Sequence, residues 1–189
     1  QMELERAVIL EELAAVEDSP EEFLWEEFSR TFWLDHPLGT PILGTRETIK
    51  SLSCDDLSVF FRRAYEPANV VVAAAGRLDH KEILGLVEDK FGGLSNHSEP
   101  LDFSAPRAFQ HFRILSKEEL EQVHIAVGCP GPSVNEKERY AAFLLNAVLG
   151  GSVSSRLFQC IREEHGLAYS VYSALETYAD AGCFWIYAG

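Results

Sequence analysis

Two carboxylates near the start of the chain occupy positions that a surface helix would give to apolar residues. In the helical pattern of residues 4–20, four apolar side chains form one stripe: Val8, Ile9, Leu13 and Val16. Glu5 and Glu12, seven residues apart, fall within that stripe. Burying an ionised carboxylate is costly unless a cation or a metal ion compensates its charge. The two glutamates therefore require a compensating partner or metal ion, and the alternative is a wide helix edge where both stay solvated or pair with Arg6.

Histidine spacing does not provide the remaining ligands of a helical zinc site. Six histidines occur, and no two stand at the i, i+4 spacing of a helical metal pair: His36, His80, His97, His111, His124 and His165. His165 is explained by the helix dipole, because a cation is favoured near a helix C-terminus. The glycine pairs at 92/93 and 150/151 lack the spacing of a nucleotide-binding loop, and no Gly-x-Ser-x-Gly elbow is present.

The charge balance narrows the classes of partner. The 189 residues include 30 acidic and 16 basic side chains, which gives a formal charge of −14. This charge argues against nucleic acid and anionic membranes, and it suits a cationic partner or simple solubility. No signal peptide or membrane span is apparent. Because the chain begins within a predicted helix, we expect it to be an internal portion of a longer protein.

Cysteine usage bears on the compartment. The four cysteines are widely spaced and form no C-x-x-C motif: Cys54, Cys129, Cys160 and Cys183. This spacing favours reduced thiols over a disulfide or zinc framework. We therefore expect a reducing compartment, which would be the cytoplasm, or the mitochondrial matrix in a eukaryote.

Capping residues predict where two helices of the first half begin. The first helix should end near Val16, and Ser19 followed by Pro20 is typical of the N-cap and first position of the next. Ser53 and Asp56 are spaced as in a capping box. Each of these signals predicts a helix start in the residues that follow.

The rest of the first half is predicted as a loop, a strand and a further helix. Residues 35–52 contain repeated proline and glycine and are predicted to form a loop. Residues 69–76, "NVVVAAAG", are apolar between turn residues and predict a buried central strand. Asp79 should cap a helix that ends at Gly92.

The second half predicts two helices and three strands. Val123, Ile125 and Val127 alternate with polar residues and predict a half-buried strand. A capped helix up to Gly150, a short helix ending at Gly166 and a hairpin turning near 180–182 follow. Mixed helices and strands predict an α+β fold in two layers. We expect a first domain at 1–98, a linker with two prolines at 99–108, and a second domain at 109–189.

Two segments together resemble a known peptidase family. They are "LERAVILEEL" near the N-terminus and "REEHGLAYSVY" at 162–172, which follows "GGSVSSRLFQ". "HPLGTPILGTRETI" and "YEPANVVVAAAG" add to the match in the same order. The chain resembles the M16 peptidases, the pitrilysin and insulinase family of inverted-motif zinc proteases, and most closely the branch of the mitochondrial processing peptidase. The resemblance implies two-layer α/β sandwich domains of the M16 type, truncated at both ends.

The resemblance implies a role for each of the two early glutamates. In that family an H-x-x-E-H helix supplies two histidine ligands and a general base, and a downstream glutamate is the third zinc ligand. Glu12 matches that third ligand, and Glu5 matches an acidic residue that supports the site. The H-x-x-E-H segment is absent from this sequence. We therefore expect an incomplete zinc site in this chain, completed by a longer parent protein or by another chain.

The resemblance also implies a substrate-binding pair. Arg162 and Tyr169 match the family's arginine and tyrosine that hold substrate backbone and steady the tetrahedral intermediate. Guanidinium and phenol groups are donors that complement oxyanion charge. Arg156 competes as the functional arginine, but its spacing to Tyr169 does not fit. The structural alternative is an exposed arginine at a helix end and an ordinary strand tyrosine.

We therefore interpret the chain as a portion of a zinc metalloendopeptidase. It would hydrolyse extended or unfolded peptides through zinc-activated water, with a preference for cationic peptides. A homodimer, or a heterodimer with another M16 chain, is compatible with the family. One alternative is a non-catalytic M16-like partner or scaffold subunit, and another is a plain α+β binding domain.

Overall fold

A computed structural model describes residues 1–94, 104–117 and 120–189, and it confirms the predicted α+β fold. The described chain divides into two compact units. The larger unit holds Gln1, Glu3–Ile49 and Ser104–Gly189. The smaller unit holds Met2 and the described residues from 50 to 94. The predicted division at 99–108 stays a prediction, and residues 99–103 of that linker lie outside the described ranges.

The described residues contain six α-helices, three strands, two 3₁₀ turns and one π-helix. The α-helices are α1 Met2–Asp18, α2 Pro20–Phe32, α3 Arg46–Ser51, α4 Cys54–Ala64, α5 His80–Phe91 and α6 Arg139–Leu149. The strands are β1 Ile125–Gly131, β2 Val171–Thr177 and β3 Gly182–Ala188. Two 3₁₀ turns lie at Pro37–Gly39 and Pro67–Asn69, and a π-helix spans Phe158–Glu164. None of the helices in these described ranges has the length and apolar character needed to cross a membrane.

The predicted helix starts are confirmed. The Ser19 hydroxyl accepts a hydrogen bond at 3.5 Å from the main-chain N–H three residues on, and Pro20 is the first residue of α2. Ser53 and Asp56 form the reciprocal capping box of α4. The Asp79 carboxylate accepts two main-chain N–H groups at the start of α5. Each side chain satisfies a donor that the first helical turn leaves without an intrahelical partner.

The sheet of the larger unit is antiparallel in the order β1-β3-β2. The predicted hairpin is confirmed, because β2 and β3 are joined by residues 178–181 and Tyr178 N–H donates to the Ala181 carbonyl at 2.8 Å. Opposite Trp185 of the central strand stand Gly128 of β1 and Ala174 of β2. The two neighbours of Trp185 on this face of the sheet therefore have small side chains or none, which leaves room for the indole.

Helix α2 packs on that face through an aromatic core. Phe32, Trp33, Trp185 and Tyr187 are buried there, with Trp25 and Phe28 packed against them. The Trp25 and Trp185 rings stack with centroids 4.2 Å apart. A Cβ on Gly128 would overlap the Phe28 ring, so glycine is required for this approach of α2 to β1. The core of the larger unit is thus an aromatic layer between one helix and three strands.

Two predictions about the first half are wrong. Residues 46–51 form α3 within the predicted loop. The acidic Glu47 lies in the first turn and the basic Lys50 in the last turn, where each charge is favoured by the helix dipole, and Ile49 is buried. Residues 70–75 are not a strand, and Val71 is 92% exposed. A strand requires a neighbour to exchange main-chain hydrogen bonds. The described residues of the smaller unit contain no strand that could serve as that neighbour.

The predicted burial of β1 is also wrong. Val123, Ile125 and Val127 are exposed, and the alternate residues Ala126 and Gly128 lie on the half-buried side. The reason is the aromatic core, because α2 covers the face that carries Trp185. Large side chains on β1 would collide with α2 there, so the β-branched residues take the opposite face.

The four thiols should differ sharply in reactivity. Cys54, Cys129 and Cys160 are exposed, whereas Cys183 is completely buried, and burial raises its pKa to about 12. Since the thiolate is the nucleophile, we expect iodoacetamide at neutral pH to label three cysteines and to spare Cys183 until the chain is unfolded. Peptide mass spectrometry before and after guanidinium would measure this. Native labelling of Cys183 at the rate of the exposed thiols would contradict the packing of β3.

Candidate functional site

The structure brings Arg162 and Tyr169 together at one end of the sheet. Arg162 lies on the π-helix, and Gly166 reverses the chain after it with φ at +60°, a left-handed conformation that glycine adopts without strain. Tyr169 precedes β2, and its N–H donates to the Gly189 carbonyl at 2.8 Å. The seven-residue spacing therefore spans a helix end, a turn and a strand start.

Contact between the two side chains is direct. The guanidinium carbon of Arg162 lies 4.6 Å from the centroid of the Tyr169 ring. The same carbon lies 4.8 Å from the centroid of the Phe158 ring, so two aromatic rings contact the cation. Such stacking orients a guanidinium. The Arg162 Nε lies 3.7 Å from Glu163 Oε1, and the two terminal nitrogens have no hydrogen bond to another described residue, which leaves them available to a planar acceptor. The Tyr169 side chain is 75% exposed and can be reached by a ligand.

Phe158 is a residue that the sequence analysis missed. It stands four residues before Arg162 in a helical segment, and residues at that spacing are neighbours on a helix surface. This spacing is a signal that could have identified it. Arg156, the competing arginine, makes neither of the two ring contacts.

Glu5 and Glu12 lie on an exposed side of α1. The buried residue of this helix is Leu13, and Val8 is 49% exposed, so the packed side is rotated from the predicted stripe. Neither carboxylate has a hydrogen bond or ion pair to another described residue. The interpretation that both are enclosed in an apolar stripe is wrong here, and their roles at a metal site stay predictions.

Contacts with α3 explain the orientation of α1. Arg6 Nε donates to the Ile49 carbonyl at 3.1 Å, and Arg6 also pairs with Glu3. Glu17 pairs with Arg46, and this hydrogen bond lowers the pKa of the Glu17 carboxyl. These contacts fix one side of α1 against α3, which leaves Glu5 and Glu12 on the solvent side.

A pocket of about 320 Å³ lies beside the aromatic core of the larger unit. Its lining combines carboxylates and aromatic rings: Val16, Glu21, Glu22, Trp25, Glu26, Tyr172 and Trp185. Tyr172 donates its hydroxyl hydrogen to Glu21 Oε1 at 2.7 Å. Burial, reinforced by this bond, raises the pKa of Tyr172, so the phenol remains a donor at physiological pH.

The pocket concentrates negative charge. Partial burial raises the pKa of Glu26, and repulsion from Glu27, Glu17 and Glu22 adds to the shift. Like charges near a partly buried carboxylate make a bound cation favourable there. Aromatic faces beside those carboxylates also attract cations. Glu21 and Glu22 have a structural explanation as well, because acidic residues are favoured in the first turn of a helix.

The sequence of this chain is similar to those of known proteins. Residues 51–189 match the model described as the peptidase M16 inactive domain. A protein of Streptomyces coelicolor named an uncharacterized zinc protease is 42% identical over 198 residues, covering 100% of this chain and 42% of the relative. An uncharacterized zinc protease of Bacillus subtilis is 38% identical over 189 residues, covering 100% of this chain and 46% of the relative. The chain thus spans less than half of the length of these relatives.

Solved structures support the same assignment of fold. A crystal structure of a protease from Helicobacter pylori matches with a TM-score of 0.83 at 24% identity, covering 100% of this chain and 47% of that one. A peptidase M16 inactive domain from Pseudomonas fluorescens matches with a TM-score of 0.82 at 22% identity, covering 99% and 46%. At these identities the likeness concerns the fold alone. Residues 51–189 match this family model, and the whole chain is related in sequence to the Streptomyces coelicolor protein. The chain therefore belongs to the peptidase M16 family.

Proposed function

We propose that this chain is the substrate-binding portion of a zinc metalloendopeptidase that hydrolyses extended or unfolded peptides. The observation that carries the proposal is the contact of Arg162 with Tyr169 beside an exposed sheet end. Relatives named zinc proteases support the reaction class. The description of the matched domain as inactive supports a role for residues 51–189 in holding the substrate rather than in supplying the metal chemistry.

Arg162 and Tyr169 would bind the carbonyl of the scissile peptide. Both groups donate hydrogen bonds, and the guanidinium remains charged at any physiological pH. Donors aimed at an oxygen that gains negative charge stabilise the transition state more than the ground state. Phe158 would act as a positioning residue, because its ring also contacts the guanidinium.

Glu12 would contribute one oxygen ligand to the zinc site, with Glu5 in support. A carboxylate oxygen is a ligand that zinc accepts, and the exposure of Glu12 leaves it accessible to ligands from outside the described residues. When bound, zinc would polarise the peptide carbonyl and activate a water molecule. The remaining ligands and the general base would come from an H-x-x-E-H segment of a parent protein or of a second M16 chain in a homodimer or heterodimer.

The acidic pocket favours cationic peptides as substrates. Three glutamates of α2 line it together with the rings of Trp25 and Trp185. A lysine or arginine side chain would place its charge among the carboxylates and its apolar stem on the rings. The net charge of −14 adds a long-range attraction for such peptides.

Replacing Glu12 tests the metal ligand. In the proposed longer protein, Glu12→Gln should lose zinc and peptidase activity together, because an amide is a poor substitute for a carboxylate ligand. The thermal melting of the protein should change little, since Glu12 is exposed. Zinc content by atomic emission and peptide hydrolysis would measure both effects. Glu11→Gln, an exposed neighbour on α1, is the control, and wild-type activity in Glu12→Gln would remove Glu12 from the site.

Replacing Arg162 and Tyr169 tests the substrate pair independently of the metal. Tyr169→Phe keeps the ring and removes only the hydroxyl, and Arg162→Lys keeps the charge but loses the planar fork. We expect each variant to reduce kcat about 10²-fold, with zinc content and melting temperature close to wild type. Arg156→Lys is the matched control, because Arg156 lacks the ring contacts.

The structural alternative makes the opposite prediction for Tyr169. If the tyrosine only packs, Tyr169→Phe would be neutral and Tyr169→Ala would destabilise the fold. Hydrolysis at the wild-type rate by both Tyr169→Phe and Arg162→Lys would therefore reject the pair as substrate ligands.

The pocket can be tested by peptide binding at different pH values. An arginine-containing peptide should bind more tightly than its citrulline analogue, and Glu26→Gln should weaken that preference about fivefold. As the pH falls through the raised pKa of Glu26, the carboxyl gains a proton and loses its charge. The preference should therefore weaken by the same factor as in Glu26→Gln, and it should do so at a higher pH than an ordinary glutamate would give. Isothermal titration would measure it with Glu88→Gln as the control, and equal binding of both peptides would exclude the pocket.

A further inference from the structure

Three potential metal ligands meet at the C-terminal end of the π-helix. The Cys160 sulfur, a Glu164 carboxylate oxygen and a His165 ring nitrogen all lie within 4.8 Å of one another. All three residues are exposed, so a cation from solvent can reach them. Within residues 1–94, 104–117 and 120–189, this is the one set of three such ligands found so close together.

The π-helix is the reason why these residues meet. The His165 N–H donates to the Cys160 carbonyl at 3.2 Å, which is the i→i+5 bond of a π-helix. In an α-helix, five residues correspond to about 140° of net rotation, which would turn position 165 away from position 160. The wider turn places the fifth residue above the first. Glu164, one position earlier, then falls beside both.

The His165 ring is already oriented. Its Nδ1 lies 2.7 Å from the Cys160 carbonyl oxygen, and an oxygen acceptor at this distance requires the proton to be on Nδ1. Nε2 then carries the lone pair of the ring and is the nitrogen that can bind a cation, while Nδ1 lies 3.8 Å from the Cys160 sulfur. Metal-binding histidines commonly donate their other ring N–H to a backbone carbonyl in this way.

We propose that Cys160, Glu164 and His165 form a binding site for a thiophilic divalent cation of the zinc type. Thiolate, imidazole and carboxylate are the ligand types that zinc takes from proteins, and three of them leave a fourth position for water. Binding would release the thiol proton to solvent, because the thiolate is the ligand. The partial negative charge of a helix C-terminus also favours a cation here.

This site is separate from the peptidase zinc site proposed above. It uses none of Glu5, Glu12 or the missing H-x-x-E-H segment. Arg162 belongs to the same helix, but its guanidinium stacks on Phe158 and Tyr169 and takes no part in the cluster. The inference therefore does not rest on the proposed peptidase activity.

Cobalt titration of the 189-residue chain tests the proposal. Co²⁺ bound to a thiolate gives a sulfur-to-metal charge-transfer absorption, and we expect it to saturate at one ion per chain and to be displaced by Zn²⁺. Cys160→Ser should abolish the absorption, and Glu164→Gln and His165→Gln should each weaken binding about tenfold or more. Circular dichroism would verify that the three exposed substitutions leave the fold intact.

Two matched controls define where the ion binds. Cys129→Ser removes another exposed thiol and should leave the titration unchanged. Glu12→Gln should also leave it unchanged, whatever its effect on peptidase activity, so failure of the peptidase proposal would be seen separately. Absence of the charge-transfer band in the wild type, or its persistence in Cys160→Ser, would overturn the site. Loss of the band in Glu12→Gln would place the ion elsewhere and would also overturn it.

Discussion

The stacking of α2 on the central strand is the interaction on which the larger unit depends. Trp25 meets Trp185 at 4.2 Å, and Phe28 stacks on Phe32 at 5.3 Å within the same layer. Each aromatic pair contributes about 1 kcal/mol beyond the burial of its area. The layer also fixes sequence elsewhere, because it admits only a small residue at Gly128 and forces the β-branched residues of β1 to the other face.

The same layer connects the two candidate functional regions. Trp25 and Trp185 line the acidic pocket, and α2 supplies its carboxylates. At the end of the sheet, Tyr169 is held through its main chain to Gly189, directly after β3. A change at Trp185 would therefore disturb both the pocket and the strand that positions the arginine–tyrosine pair. The packing of Trp25 on Trp185 thus supports both of the regions proposed to bind substrate.

The sequence predicted best what is decided locally. Caps at Ser19, Ser53 and Asp79 depend on residues within one turn, and all three are confirmed. The pairing of Arg162 with Tyr169 was also predicted, although only through the family resemblance. Features set by distant contacts were missed: residues 70–75 have strand composition without a partner strand, and the buried face of β1 is chosen by α2. The exposure of Glu12 has the same origin, since α3 determines which side of α1 is packed.

The ligand cluster of Cys160, Glu164 and His165 shows a different reason why a sequence pattern can miss a site. Ligand spacings in sequence are interpreted through the period of an α-helix, in which i and i+4 share a face and i and i+5 do not. A search for i, i+4 pairs therefore does not find Cys160 and His165. In the sequence analysis, His165 was explained by the helix dipole alone. The i→i+5 hydrogen bond changes the period and with it the set of neighbours. Because π-turns occur frequently at functional sites, a wide turn that also carries Arg162 is where unusual ligand spacings should be sought.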